Sequence, residues 1–238
     1  MRITLLLNHD PASAYALGLL APKLSLHQLT VFYTNKPSGL KPLPSMLAGL
    51  ALFEKTQFTK LNKSFLDFKA QRLNHVNDDG FERFRQSQPE LAISIRHMSI
   101  LKPKSIAIPE HGVINLHSGL LPKYQGVMAT FWAMKNQEAR IGTTLHYIED
   151  STIDTGSIIS QSDTRTDFRK SYFWNLMNIY QSGCENILQA VNSINHSGTV
   201  NAKPQSGTAN YFSYPNDEQL DSFKPSLFEK HDSNDFLA

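Results

Sequence analysis

One cysteine, Cys184, occurs among 238 residues. A single thiol can close no internal disulfide and supplies neither a Cys-x-x-Cys redox pair nor a thiolate zinc cluster, so a disulfide-stapled fold is excluded. Cys184 reads as a small buried apolar residue. Long apolar runs are also missing. Ile3-Thr4-Leu5-Leu6-Leu7 meets Asn8-His9-Asp10 at once, too short for a leader peptide and without a small-residue cleavage site, and nothing else approaches a membrane-spanning length. The expectation is a soluble, cytoplasmic protein in a reducing compartment. Charge of one sign is scarce too: 23 Lys+Arg stand against 21 Asp+Glu, a formal balance of +2. The electrostatic footprint of a nucleic-acid or anionic-membrane binder is therefore absent, and neither is expected as a partner. What is present is ordinary globular composition, with 40% hydrophobic residues and 12 each of Gly and Pro. Disordered, collagen-like and coiled-coil readings drop out, and the length suits one sizeable domain with a short appendage.

Arg2 to Asn8 reads as a buried strand, Ala12 to Leu24 as a helix, and Gln28 to Tyr33 as a second strand. Strand, helix, strand with short connections predicts an α/β fold: a parallel sheet with helices on its faces. Pro44 to Phe65 carries Leu47, Leu50, Phe58, Leu61 and Phe65 on one helical stripe and is read as a core-facing helix. Asp78 to Gln88 reads as a helix, Leu91 to Ile95 and Val113 to His117 as strands, Thr130 to Asn136 as a helix and Gly142 to Ile148 as a strand. Phe168 to Ile194 is expected to hold one long helix. A strand or two and an irregular tail follow Asn195, with Lys230 to Ala238 as a mobile end.

The chemistry concentrates between Asn115 and Gly156. Asn115 and His117 lie two apart at a strand end, so their side chains leave the same face. Asp154 follows in Ile153-Asp154-Thr155-Gly156, a turn whose glycine permits close backbone approach. By residue type alone, a lone histidine in a strand is more often a satisfied structural residue.

A longer pattern surrounds these three residues. The run Ile114-Asn115-Leu116-His117-Ser118-Gly119-Leu120-Leu121-Pro122-Lys123-Tyr124-Gln125-Gly126, then Gly142-Thr143-Thr144-Leu145-His146, then Ile153-Asp154-Thr155-Gly156, resembles the folate-dependent formyltransferase family. Glycinamide ribonucleotide and methionyl-tRNA formyltransferases belong to that family. The resemblance is close from about Pro89 to Ile159 and collinear from residue 1 to about 195. It implies a doubly wound, mostly parallel, Rossmann-like sheet with helices on both faces, a catalytic domain over 1–195 and an extension over 196–238 packing on it. It further implies 10-formyltetrahydrofolate as formyl donor, Asn115, His117 and Asp154 as catalytic residues, and no metal. The donor site implied comprises Met98, Ser99, Ile100 and Leu101 with Glu149, Asp150, Ser151, Thr152 and Ile153, whose backbone groups would read the pterin. His9, Asp10, Tyr124 and His146 are the candidate acceptor contacts.

The acceptor class follows from departures. Asn8-His9-Asp10-Pro11-Ala12-Ser13 stands where a phosphate-holding, Gly-rich turn is usual, and its acid opposes a phosphate. No C-terminal tRNA-gripping barrel is expected within this length. Ser118-Gly119 and Gln125 replace the more usual Pro-Ser or Gly-Ser and arginine, and the segment from His146 to Asp154 is one residue longer than usual. A small amine is the expected acceptor: an amino sugar, a nucleotide-linked amino sugar or an amino-acid derivative. A formyltetrahydrofolate hydrolase and a non-catalytic folate-binding module are the alternatives. Tyr211, Phe212 and Tyr214 in the tail offer either a homodimer face or packing within the monomer.

Overall fold

A computed structural model describes residues 1–35, 43–232 and 236. The chain runs β1 (Arg2–Asn8), α1 (Pro11–Leu20), β2 (Gln28–Thr34), α2 (Ser45–Leu61), α3 (Lys63–Asp67), β3 (Gln71–Arg72), α4 (Phe81–Gln86), β4 (Leu91–Ile95), α5 (Pro103–Ile106) and β5 (Val113–His117). It continues through β6 (Gln125–Gly126), α6 (Ala129–Lys135), β7 (Arg140–Tyr147), β8 (Ile158–Arg165), α7 (Tyr172–Asn178), α8 (Tyr180–Ser197), β9 (Tyr211–Phe212) and α9 (Asp217–Asp221).

Seven strands form one sheet in the order β3-β2-β1-β4-β5-β7-β8. The first five are mutually parallel, and β7 and β8 join antiparallel. Period-two alternation sorts the β1 side chains to opposite faces: Leu5 and Leu7 enter the larger core, while Leu6 joins Phe32, Phe84 and Ala92 on the other. Helices cover both faces as expected of a doubly wound sheet. The winding direction reverses between β1 and β4, and the crevice beyond their C-terminal ends is where such a sheet binds ligands.

Three readings need correction. The expected helix from Phe168 to Ile194 is two helices, because the chain turns at Ile179 between α7 and α8. The stripe from Pro44 to Phe65 likewise breaks at Asn62, and the helix expected over 78–88 spans only Phe81–Gln86. Strand β8 was not anticipated: as a sheet edge it alternates half-buried with exposed positions, Ser160 to Arg165, that read as loop. Cys184 is buried and unpaired, as expected. Of the tail aromatics, Phe212 stacks on Tyr124 and Trp132, while Tyr211 stays 57% exposed. The proposed mobile end falls mostly outside the described residues. Among the described residues, no helix is long and apolar enough to cross a membrane.

Candidate active site

Strands β5 and β7 bring Asn115 and His146 directly opposite one another, and the loop after β7 returns Asp154 to the same spot. The Asp154 carboxylate lies 3.3 Å from His117 Nδ1 through Oδ2 and 3.5 Å from His146 Nε2 through Oδ1. Gly126 N–H donates to Oδ2 at 2.9 Å. Burial would push this carboxyl up, but His117, His146 and the Gly126 amide outweigh it and hold Asp154 at about 2. It is a carboxylate at any physiological pH.

Hydrogen-bond partners assign the histidine protons. His117 Nε2 faces the Tyr124 carbonyl at 2.7 Å, and a carbonyl only accepts, so Nε2 carries hydrogen. Its Nδ1 faces the Asp154 carboxylate. His146 Nδ1 faces the Tyr147 carbonyl at 2.8 Å and so carries hydrogen, while its Nε2 lies 3.1 Å from Asn115 Nδ2 and 3.5 Å from Asp154 Oδ1. His146 thereby sits between the Asn115 amide and the Asp154 carboxylate. Gly119 makes room for the His117 ring, since a Cβ there would lie 2.7 Å from Nε2.

These groups line one cleft of about 1110 Å³ that also takes in Asn8, His9 and Asp10 at the end of β1 and Arg96 to Leu101 after β4. A family model described as "Formyl transferase" matches residues 29–172, more than half of the chain, and includes Asn115, His117, His146 and Asp154. The chain belongs to the formyl transferase family. Methionyl-tRNA formyltransferase of Thermodesulfovibrio yellowstonii is 32% identical over 137 residues, covering 57% of this chain but only 44% of that protein. The chain therefore spans less than half the length of such curated relatives. Two solved structures share the fold: a 4-N formyltransferase from Francisella tularensis (TM-score 0.65, 14% identity, 94% of this chain and 87% of that one) and an N-formyltransferase from Helicobacter canadensis in complex with folinic acid and dTDP-3-aminofucose (0.62, 20%, 88% and 70%).

The candidate donor residues divide. Met98 and Ile100 are 39% and 56% exposed at the cleft and Ile153 is 37% exposed, so these apolar side chains are open to it. Leu101 is core, with 3% exposure. Ser99, Asp150 and Thr152 line the cleft, whereas Glu149 and Ser151 do not; Glu149 instead accepts from Ser157 N. Two backbone groups of the 98–101 loop are already engaged, Met98 N–H by Thr34 Oγ1 and the Ile100 carbonyl by Asn77 Nδ2. Asn77 thus anchors the loop, which no local sequence signal announced.

On the acceptor side, His9 and Asp10 line the cleft, with the His9 ring against Phe58 at 3.9 Å. Tyr124 does not. Its ring is 3% exposed, stacks on Phe212, and spends its hydroxyl on Glu138 and Asn136, so only its carbonyl reaches the site.

The sequence reading missed Gln205. Asp154 sits in the left-handed region at φ +56°, a conformation that strains a non-glycine residue and must be held from outside. Gln205 Nε2 donates to the carbonyls of Asp154 at 2.8 Å and Gly156 at 2.9 Å, and Gln125 Nε2 adds a bond to the Asp154 carbonyl at 3.1 Å. Gly156 helps from within: a Cβ there would overlap the Tyr147 carbonyl oxygen. Gln205→Ala is expected to cost about 1–3 kcal/mol of loop stability for two lost bonds. In steady-state assays the loss should fall on kcat, with the donor KM little changed. An unchanged kcat would show that the clamp is dispensable.

Proposed function

We propose that this protein transfers a formyl group from 10-formyltetrahydrofolate to the amine of a small molecule. The observation that carries the reading is the convergence of Asn115, His117 and Asp154, with His146 behind them, on the wall of one cleft.

As an amine attacks the formyl carbon, charge develops on the carbonyl oxygen. The Asn115 amide is available to donate an N–H to that oxygen, and His117, paired with Asp154, supplies positive charge beside it. Asp154 keeps the imidazole oriented and supports the passage of the amine's proton to the departing folate nitrogen. The donor would be held between the exposed apolar side chains of Met98, Ile100 and Ile153. Support for a folate and an amino-sugar acceptor comes from the Helicobacter canadensis neighbour, whose complex holds folinic acid and dTDP-3-aminofucose. Residues 1–195 are proposed as the catalytic unit, with the segment from 196 onward bracing it through Gln205 and the β6–β9 pairing.

Tetrahydrofolate release from 10-formyltetrahydrofolate, with and without a pool of amino sugars and amino acids, tests this directly. Release that requires an amine is the expected result. Release without amine would identify a hydrolase, and saturable binding without release would overturn catalysis.

A further inference from the structure

Beyond the residues assigned to transfer, the cleft is lined by Asp10, Arg96 and Glu54, with His9 and Lys55 also on its wall. Asp10 is already held by three donors: Oδ1 accepts from Ser13 N, and Oδ2 from Asn8 Nδ2 and Arg96 Nε, each at 2.8 Å. The bond to Ser13 N caps α1, so the helix N-terminus that would otherwise attract a phosphate already holds an anion. Asp10, a candidate acceptor contact, is thus engaged within the protein itself. Arg96, in left-handed backbone at φ +58° one residue past β4, turns back to Asp10 and is 24% exposed.

Glu54 differs from both. It projects from α2 to line the same cleft, and among the described residues no hydrogen bond or ion pair holds it. Burial pushes its carboxyl up to about 7, with Arg96 opposing and Asp10 adding to the rise. Tyr172 and Tyr214 are the other titratable groups close to it. Two acids around one guanidinium leave a surplus negative charge whenever Glu54 is ionised, which attracts a cation and repels a further anion.

Resting on the reading of this cleft as a formyl-transfer site, we propose that Glu54 determines acceptor specificity. Its carboxylate receives the acceptor's ammonium, carried on a body with no phosphate or carboxylate near the amine, and takes one proton from it, leaving the neutral amine that attacks the formyl carbon. A charge-assisted hydrogen bond contributes about 1.5–3 kcal/mol, or roughly tenfold to a hundredfold in affinity.

The probes are 2-amino-2-deoxyglucose, its 6-phosphate and its N-acetyl derivative. In the transfer assay the free amino sugar is expected to exceed its phosphate at least tenfold in kcat/KM (about 1.4 kcal/mol). Glu54→Gln should raise the amino-sugar KM roughly tenfold or more while the donor KM stays put, and Glu54→Asp should fall between. Saturation-transfer NMR reads binding without turnover: the amino sugar should be detected on the native protein, weakened on Glu54→Gln, and favoured over the N-acetyl form. Preference for the phosphate, equal binding of the N-acetyl form, or an unchanged amine KM in the variant would overturn the proposal. Selective binding without transfer would sink the reaction reading alone, and transfer without selectivity would sink the role of Glu54 alone.

Discussion

His117→Ala is expected to lower kcat for formyl transfer by about a hundredfold to ten-thousandfold, the range for losing a positioned acid-base group. The ring is buried between the Tyr124 carbonyl and Asp154, so its removal takes away both the charge beside the formyl oxygen and the partner that orients Asp154. Asn115→Ala should cost roughly a hundredfold to a thousandfold, as for one oxyanion donor. The two losses should not multiply, because Asn115, His146, Asp154 and His117 form one chain of contacts. Single-turnover rates at saturating donor would check this, and a His117→Ala rate within threefold of wild type would refute the assigned role.

Asp10→Ala should produce the largest stability change. It strands the Arg96 guanidinium beside the core and removes the cap of α1, and breaking one side of a buried pair costs about 3–5 kcal/mol. For a domain of this size that is a Tm fall of roughly 6–20 °C. Burial would raise the Asp10 carboxyl, but Arg96 and the bonds from Ser13 and Asn8 outweigh it and leave the folded value below 3.8. The carboxylate's contribution is thus complete above about pH 4 and lost as pH falls through the folded value, so variant and wild type should converge in acid. Asp10→Asn combined with Arg96→Leu, which keeps the cap and deletes both charges, should recover most of the loss. Urea unfolding at pH 7 and pH 3 makes the comparison, and a deficit below 1 kcal/mol at pH 7 would show the pair to be dispensable.

Strands β4 and β5 were legible to the residue because each is an unbroken or alternating apolar run bounded by turn residues. Asn115 and His117 could be paired from sequence because period two is a local property. Strand β8 was invisible for the converse reason: an edge strand exposes one face and needs few apolar residues to say so. The break at Ile179 was hidden because apolar spacing continues across it, and only packing of α8 against β7 and β8 decides where the axis turns.

The site divides along the same line. Sequence alone determined the α/β class and the strand that carries Asn115 and His117, since both follow from local periodicity, while the resemblance to the formyltransferase family pointed to Asn115, His117 and Asp154. Only the tertiary structure decided that His146 meets Asn115, that Asp10 pairs with Arg96 while Glu54 has no hydrogen-bond or ion-pair partner among the described residues, and that Gln205, 51 residues beyond Asp154, holds the strained loop. Those contacts join residues far apart in the chain through side-chain donors and acceptors. No local periodicity records which of them meet once the sheet has closed.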